Sequence, residues 1–211
     1  MYLTKRILIH LAGYLVMGLG VIFMYRALQG SFPYDAISHY ITVLVNQSWM
    51  TLGFASMIFG TAYALLNFAI MRKWQVFIGL IPVYTFGFVL NFWELIIPKG
   101  YSWGHPFLNG TMAIVGLFIY GLGIAMLLVN KKFPIAPSEL MMMYLKVKLN
   151  NKTFLAKLII EISLITIAMT LAWITQDFSQ IGWFTFASVI LIGPIIQFFE
   201  KFTVKLFGIY E

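Results

Sequence analysis

Six apolar stretches of about twenty residues limit what this chain can fold into. A helix rises about 1.5 Å per residue, so roughly twenty residues are needed to cross the ~30 Å hydrocarbon core of a bilayer. The stretches cover residues 7–25, 51–71, 77–97, 108–129, 154–174 and 182–199. Because a backbone in lipid must satisfy its own hydrogen bonds, we predict an all-α membrane protein with six transmembrane helices.

Composition supports a membrane protein rather than a soluble one. Hydrophobic residues make up 61% of the chain and charged residues 10%, outside the usual range of soluble domains. The net charge of +7 comes mostly from basic residues between the apolar stretches, where membrane orientation explains them better than nucleic-acid binding does. We expect the first stretch to be a retained span, since no small-residue cleavage site follows it. The chain has no cysteine, which excludes disulfides and cysteine metal sites.

The basic residues are distributed unequally between the two sides of the predicted topology. Six alternating spans leave only Arg26 and Lys99 on one side. The other side receives the remaining twelve: Lys5, Arg6, Arg72, Lys73, Lys131, Lys132, Lys146, Lys148, Lys152, Lys157, Lys201 and Lys205. Cytoplasmic loops carry the excess of lysine and arginine, so we predict that both termini are cytoplasmic.

The two halves of the chain, residues 1–106 and 107–211, share a pattern of spacing. The repeated glycines of the first and fourth spans are Gly13, Gly18, Gly20 and Gly116, Gly121, Gly123. The third spans of the halves also correspond, GFVLNFWE with GPIIQFFE, so that Asn91 matches Gln197. Because each half has three spans, the second half enters the membrane from the opposite side. We predict two inverted three-helix repeats, an arrangement common in transporters, although duplication is also a simple route to any six-helix bundle.

The repeated glycines have two interpretations. Small residues let transmembrane helices approach closely, so spans one and four are expected to pack tightly against a neighbour. A glycine backbone can instead approach a ligand. We favour close packing.

A short segment follows the first span of each half, over residues 33–46 and 137–150. Each begins with a proline, Pro33 or Pro137, which suits the first position of a helix. Each has an acid at the third position, Asp35 or Glu139, where a carboxylate meets free N–H groups and the positive end of the helix dipole. Fourteen residues are too few to span the membrane. The segments therefore either re-enter it, with N-termini that could converge on one site, or lie at its surface.

Glu161 is the most unusual residue of the spans, because an ionised carboxylate within a span is costly. Lys157 lies one turn earlier on the same face and is placed to pair with it. Glu161 is either a carrier of a proton or substrate, with Lys157 beside it, or half of a structural ion pair reaching the cytoplasmic boundary.

Weaker candidates are His39, Asn91 and Gln197. His39 follows Asp35 by one turn and is either coupled to its protonation or a solvated histidine. Asn91 and Gln197 are more often bridges between helices than substrate ligands. Enzyme motifs and paired histidines for a metal are absent from the sequence, so we expect neither an enzyme nor a cofactor.

Several short motifs resemble those of the YczE/YitT-type bacterial integral membrane proteins. They are GSFPYD with Gly30, Pro33 and Asp35; PSELM with Pro137 and Glu139; the Lys157 and Glu161 pair of KLIIE; and Gly193 with Pro194. In the second motif, APSE replaces the glycine- and arginine-containing GPRD of the family pattern. The resemblance implies the six-span fold in a bacterial cytoplasmic membrane and assigns no activity.

These observations favour a secondary transporter or permease of a small polar or cationic solute, with proton coupling as one mode. Two alternatives stay open: a substrate-capturing membrane subunit that docks on an ATPase complex, and a structural or regulatory protein without transport. The lipid bilayer is the expected partner, with a homo-oligomer or a partner subunit as further alternatives.

Overall fold

A computed structural model describes residues 2–98, 101, 104–128 and 133–207. Three of the basic residues used to predict orientation, Lys99, Lys131 and Lys132, lie outside these ranges.

The described residues form eight α-helices and contain no strand. The helices are α1 (Tyr2–Ala27), α2 (Pro33–Val45), α3 (Leu52–Met71), α4 (Leu80–Ile96), α5 (Pro106–Leu128), α6 (Pro137–Lys148), α7 (Thr153–Thr175) and α8 (Trp183–Phe207). A 3-10 helix, Trp74–Gly79, leads into α4.

Six of these helices are long and apolar enough to cross a membrane: α1, α3, α4 with its 3-10 turn, α5, α7 and α8. This confirms the six predicted spans, and the chain is a multi-pass membrane protein. Some boundaries differ from the prediction. The third predicted span starts at residue 77, within the 3-10 helix, and α8 continues to Phe207, beyond the predicted end at residue 199.

The chain divides into two compact units. The first unit contains residues 1–32, 92–133 and 179–211, and therefore α1, α5, α8 and the last turn of α4. The second contains residues 33–91 and 134–178, and therefore α2, α3, most of α4, α6 and α7. Each unit includes segments from both halves of the sequence.

In the first unit, α1 and α5 pack against each other at the repeated glycines. A Cβ atom added to Gly20 would lie 2.5 Å from the backbone nitrogen of Tyr120. One added to Gly123 would meet the backbone of Met17. Such separations leave no room for a side chain, so these glycines allow the two backbones to touch.

Of the other repeated glycines, Gly116 and Gly13 also lie in the contact between α1 and α5, whereas Gly121 does not. A Cβ atom on Gly116 would lie 2.8 Å from the backbone oxygen of Gly20, and one on Gly13 would lie 3.0 Å from the side chain of Leu127. Gly121 faces Ile195 of α8 instead. Gly193, beside Pro194 within α8, has no described atom within 4 Å of an added Cβ.

In the second unit, the short helices α2 and α6 each pack against both α3 and α7. Pro33 and Pro137 begin these helices, as the fixed φ of proline favours. Asn46 follows the end of α2 with a φ of 45°, and Asn150 follows α6 with a φ of 53°. Asparagine tolerates this left-handed backbone, which cannot continue an α-helix.

Candidate functional site

Helix α2 begins beside the middle of α3. The hydroxyl of Tyr34 donates a hydrogen bond to the backbone oxygen of Ser56 at 3.2 Å. A Cβ atom on Gly60 would lie 2.7 Å from the same hydroxyl oxygen. Since residues 46–51 connect the end of α2 to the start of α3, the two helices run antiparallel. The first turn of α2 therefore points toward the C-terminal half of α3.

Helix α6 begins further along α3 and also contacts α7. The side-chain amide of Asn67 donates a hydrogen bond to the backbone oxygen of Pro137 at 2.7 Å. Two residues later, Glu139 lies within 3.6 Å of Lys157 on α7. Because residues 149–152 connect α6 to α7, α6 runs antiparallel to the helix that follows it, as α2 does.

The first turns of the two short helices both contact α3. Seven residues separate Gly60, beside the start of α2, from Asn67, beside the start of α6. At 1.5 Å per residue, this is an axial distance of about 10 Å. The two helix N-termini thus lie beside neighbouring turns of α3.

A charged cluster lies where α6 meets α7. The ammonium nitrogen of Lys157 is 3.0 Å from Oε1 of Glu161 and 3.6 Å from Oε1 of Glu139. The side chains of Lys157 and Glu139 are nearly half exposed, whereas that of Glu161 is 14% exposed. We call Glu139, Lys157 and Glu161 the acid–lysine cluster. With both carboxylates ionised, its net charge is −1.

Tyr63 connects this cluster to the start of α2. It lies between Gly60 and Asn67 on α3, within electrostatic range of all three charged groups. Its ring is 6.0 Å from that of Phe59, which in turn is 4.9 Å from the ring of Tyr34. A row of three aromatic rings therefore joins the residue next to Asp35 to the acid–lysine cluster. The sequence analysis did not single out Tyr63, because one tyrosine in an apolar span is an ordinary feature.

Asp35 is buried in the first turn of α2 and is 4% exposed. Among the described residues, none forms an ion pair or a hydrogen bond with its carboxylate. Burial raises the pKa of Asp35 from 3.8 to about 7, because removal from water disfavours the charged form. Burial also raises the pKa of the neighbouring Tyr34. Asp35 can therefore take up and release a proton near neutral pH.

His39 contacts a residue that the sequence analysis did not consider. Its Nε2 atom lies 2.8 Å from Oδ2 of Asp177, just beyond the end of α7. This bond joins α2 to α7 across 138 positions of sequence. Asp177 is one of only seven acids in the chain and directly follows an apolar span, which is the one sequence signal that could have identified it.

The two amide candidates occupy different units. Oδ1 of Asn91 accepts a hydrogen bond from the hydroxyl of Thr51 at 2.5 Å, so Asn91 bridges α4 to the start of α3 in the second unit. Gln197 lies on α8 in the first unit, in an open groove that Glu200, Lys201 and Val204 also line. Gln197 therefore belongs to a separate group from the acidic residues of the second unit.

A buried ion pair in the first unit was also missed from sequence. A guanidinium nitrogen of Arg26 lies 3.3 Å from Oε1 of Glu94, and the two side chains are only 7% and 5% exposed. The same nitrogen donates to the backbone oxygen of Ile97 at 3.3 Å. The sequence analysis did not pair Glu94 with Arg26.

The chemistry available in the second unit is the binding of cations and protons. It holds one buried carboxylate and a cluster with a net charge of −1, both next to helix N-termini. Within the part of the chain that the structure describes, no group of three histidine, cysteine or acidic side chains could hold a metal ion.

A family model described as a family of unknown function, DUF6198, matches residues 4–201. The chain belongs to this family. The match covers five spans completely, the sixth as far as residue 201, both short helices and every acidic and basic residue of the second unit. Comparisons with curated proteins and with solved structures give no match. Membership of DUF6198 thus supports an integral membrane protein and carries no activity with it.

Proposed function

We propose that this protein is a secondary transporter of a small cationic solute, with the proton as its coupling ion. The solute and the proton use the second unit, where Asp35 and the acid–lysine cluster lie along α3. Six spans form two inverted repeats in this proposal, and α2 and α6 are re-entrant helices.

The contacts within each unit support the inverted repeat. The pairing of α2 with the following α3 is matched by that of α6 with the following α7. The contact of α2 with α7 is matched by that of α6 with α3. In the first unit, α1 and α5 occupy corresponding places in the two halves and pack on corresponding glycines. A two-fold relation between the halves accounts for all of these pairs together.

One observation carries the functional proposal: the N-terminal turns of α2 and α6 both contact α3, at positions about 10 Å apart along its axis. Short helices that meet end to end beside a span are typical of transporter substrate sites, where they supply backbone groups at the membrane midplane. Irregular backbone at that depth is tolerated where protein or a water-filled cavity surrounds it.

The charges in the second unit favour a cationic solute. A bare helix N-terminus attracts anions, but Asp35 and Glu139 already place a carboxylate in the first turn of each short helix. The acid–lysine cluster also has one more negative than positive group. A monovalent cation neutralises the cluster, and protonation neutralises Asp35.

The proposed orientation follows from the basic residues. With both termini in the bacterial cytoplasm, α6 and the acid–lysine cluster lie on the inner side and the bond between His39 and Asp177 lies on the outer side. The resemblance to the YczE/YitT-type proteins agrees with this arrangement and stays a prediction.

Reconstitution tests the proposal. Purified protein in liposomes, with a pH-sensitive dye inside, is exposed in turn to Na⁺, K⁺, guanidinium and 1,4-diaminobutane, with protein-free liposomes as the control for passive leak. We expect at least one of these cations to drive proton movement, and Asp35→Asn to abolish that movement. Glu200→Gln, an acid of the first unit, is the matched control and should retain it.

A folded protein that moves no proton with any of these cations would refute proton-coupled cation transport. A substrate-capturing subunit would instead copurify with partner subunits from native membranes and show no transport alone. A structural protein would neither move protons with a cation nor copurify with the partner subunits of a transport complex.

A further inference from the structure

The first turn of α6 contains a buried acceptor that the fold leaves unused. Asn67 is completely buried, and its Nδ2 atom donates to the backbone oxygen of Pro137. Its Oδ1 atom has no hydrogen-bond partner among the described residues. An unpaired buried acceptor is unfavourable, so a ligand that donates a hydrogen bond at this position would stabilise the folded protein.

Two further acceptors lie close to this amide. Glu139 follows Pro137 by two residues in the same helical turn, so its carboxylate belongs to the same end of α6. Tyr63 precedes Asn67 by four residues on α3, which places both side chains on one face of that helix, and it is within electrostatic range of Glu139. The start of α6 therefore holds a carboxylate and contacts the Asn67 amide, and Tyr63 lies one turn from that amide on α3.

The lysine of the cluster leaves Glu139 available. Lys157 is 3.0 Å from Glu161 and 3.6 Å from Glu139, so its shorter contact is with Glu161. The side chain of Glu139 is 44% exposed, whereas that of Glu161 is 14% exposed. Glu139 is thus the more accessible of the two acids and has the longer contact with the lysine.

We propose that Glu139, Asn67 and Tyr63 form a binding site for a primary ammonium group, R–NH₃⁺. Such a group has three N–H donors and one positive charge. Its donors match the three acceptors, and its charge brings the acid–lysine cluster from −1 to neutral. Lys157 stays on Glu161 and keeps that carboxylate from competing. That the ligand is transported rests on the proposed function, whereas the binding site itself is inferred from these contacts.

The matching of donors to acceptors predicts selectivity. Methylammonium has three N–H groups, whereas tetramethylammonium has the same charge and none. Na⁺ and K⁺ have no hydrogen-bond donor and require more oxygen ligands than this site offers. Methylammonium should therefore bind more strongly than the other three cations at equal ionic strength.

Thermal unfolding of the purified full chain in detergent tests the site. Methylammonium chloride is titrated against tetramethylammonium, sodium and potassium chloride, and the rise in midpoint with concentration gives an apparent Kd. We expect a saturable rise with methylammonium alone. Glu139→Gln should weaken the apparent Kd at least tenfold, and Asn67→Leu should do the same where it folds. Glu200→Gln is the matched control and should leave the Kd unchanged.

Equal midpoint shifts with all four cations, or an unchanged Kd in Glu139→Gln, would overturn the proposal. The result of this binding assay can be distinguished from the result of the transport assay. Selective methylammonium binding without proton movement would refute the transport proposal and retain this site. Proton-coupled movement of another cation, without methylammonium binding, would refute the site and retain transport.

Discussion

The buried carboxylate of Asp35 predicts that the stability of this protein falls as the pH rises. Its pKa is about 7 in the folded protein and 3.8 for the exposed group. Between these values the folded protein holds a proton that the unfolded chain has released. The folded state therefore binds more protons, and the free energy of unfolding decreases with pH across this window. The stabilising effect of protonation is complete below pH 3.8 and is lost as the pH passes 7.

The size of this effect follows from the difference between the two pKa values. One unit corresponds to about 1.36 kcal/mol, so ionisation of Asp35 costs about 4 kcal/mol once the pH exceeds the folded value. Between pH 5 and pH 8 the expected loss is about 2.5 kcal/mol. For a chain of this length that corresponds to a midpoint roughly 5–10 °C lower at pH 8.

The assay is thermal unfolding of the purified wild type and of Asp35→Asn in detergent at pH 5 and pH 8. Asparagine keeps the shape of the side chain and cannot ionise, so the difference between the two pH values should shrink by about 2.5 kcal/mol. Glu139→Gln is the matched control, because Glu139 has the same helical position in α6 and is nearly half exposed. An Asp35→Asn protein with the wild-type pH dependence would refute the reasoning.

Three further predictions concern the packing and the ion pairs. Gly20→Val should destabilise the protein by several kcal/mol, roughly the range of severe core substitutions, because it forces α1 and α5 apart; a reduced unfolding midpoint measures this. Arg26→Leu should cost about 3–5 kcal/mol because it removes the guanidinium group from a buried carboxylate, and the double variant Arg26→Leu/Glu94→Leu should recover most of that loss in the same assay. A double-mutant cycle with His39→Gln and Asp177→Asn should give a coupling energy of about 1–2 kcal/mol from their hydrogen bond.

Each of these predictions has a control or a contradicting outcome. Gly110→Val is the control for Gly20→Val, since Gly110 is a helical glycine of α5 and no described atom lies within 4 Å of a Cβ added to it. A double variant of Arg26 and Glu94 that is less stable than Arg26→Leu would contradict the ion-pair argument. Additive effects in the cycle would show that His39 and Asp177 do not stabilise each other.

Local rules explain why the spans and the helix starts could be predicted. Lipid requires a long, internally bonded helix, so hydropathy alone identifies the six spans. The starts of α2 and α6 follow from the conformation of Pro33 and Pro137, which depends on the residue itself and its immediate neighbours. Neither feature needs information about a distant part of the chain.

The partners of the charged residues could not be predicted in the same way. Lys157 and Glu161 are four residues apart, and helical geometry brings them together. Arg26 and Glu94 are 68 residues apart, and their contact depends on how helices pack, which no local pattern encodes. His39 illustrates this: the sequence analysis noted its spacing from Asp35, and the structure places it against Asp177, just beyond the end of α7.

In the proposed transporter, the contacts of α3 allow α2 and α6 to share one site and still move independently of each other. The start of α2 is held by the bond from Tyr34 to Ser56, and the start of α6 by the bond from Asn67 to Pro137. These bonds lie at different turns of α3, so one can break while the other stays intact. Tyr63 lies between them and is within electrostatic range of the acid–lysine cluster. Movement of either helix would therefore change the surroundings of Tyr63, so the proposed transporter could alternate its access without moving both helices at once.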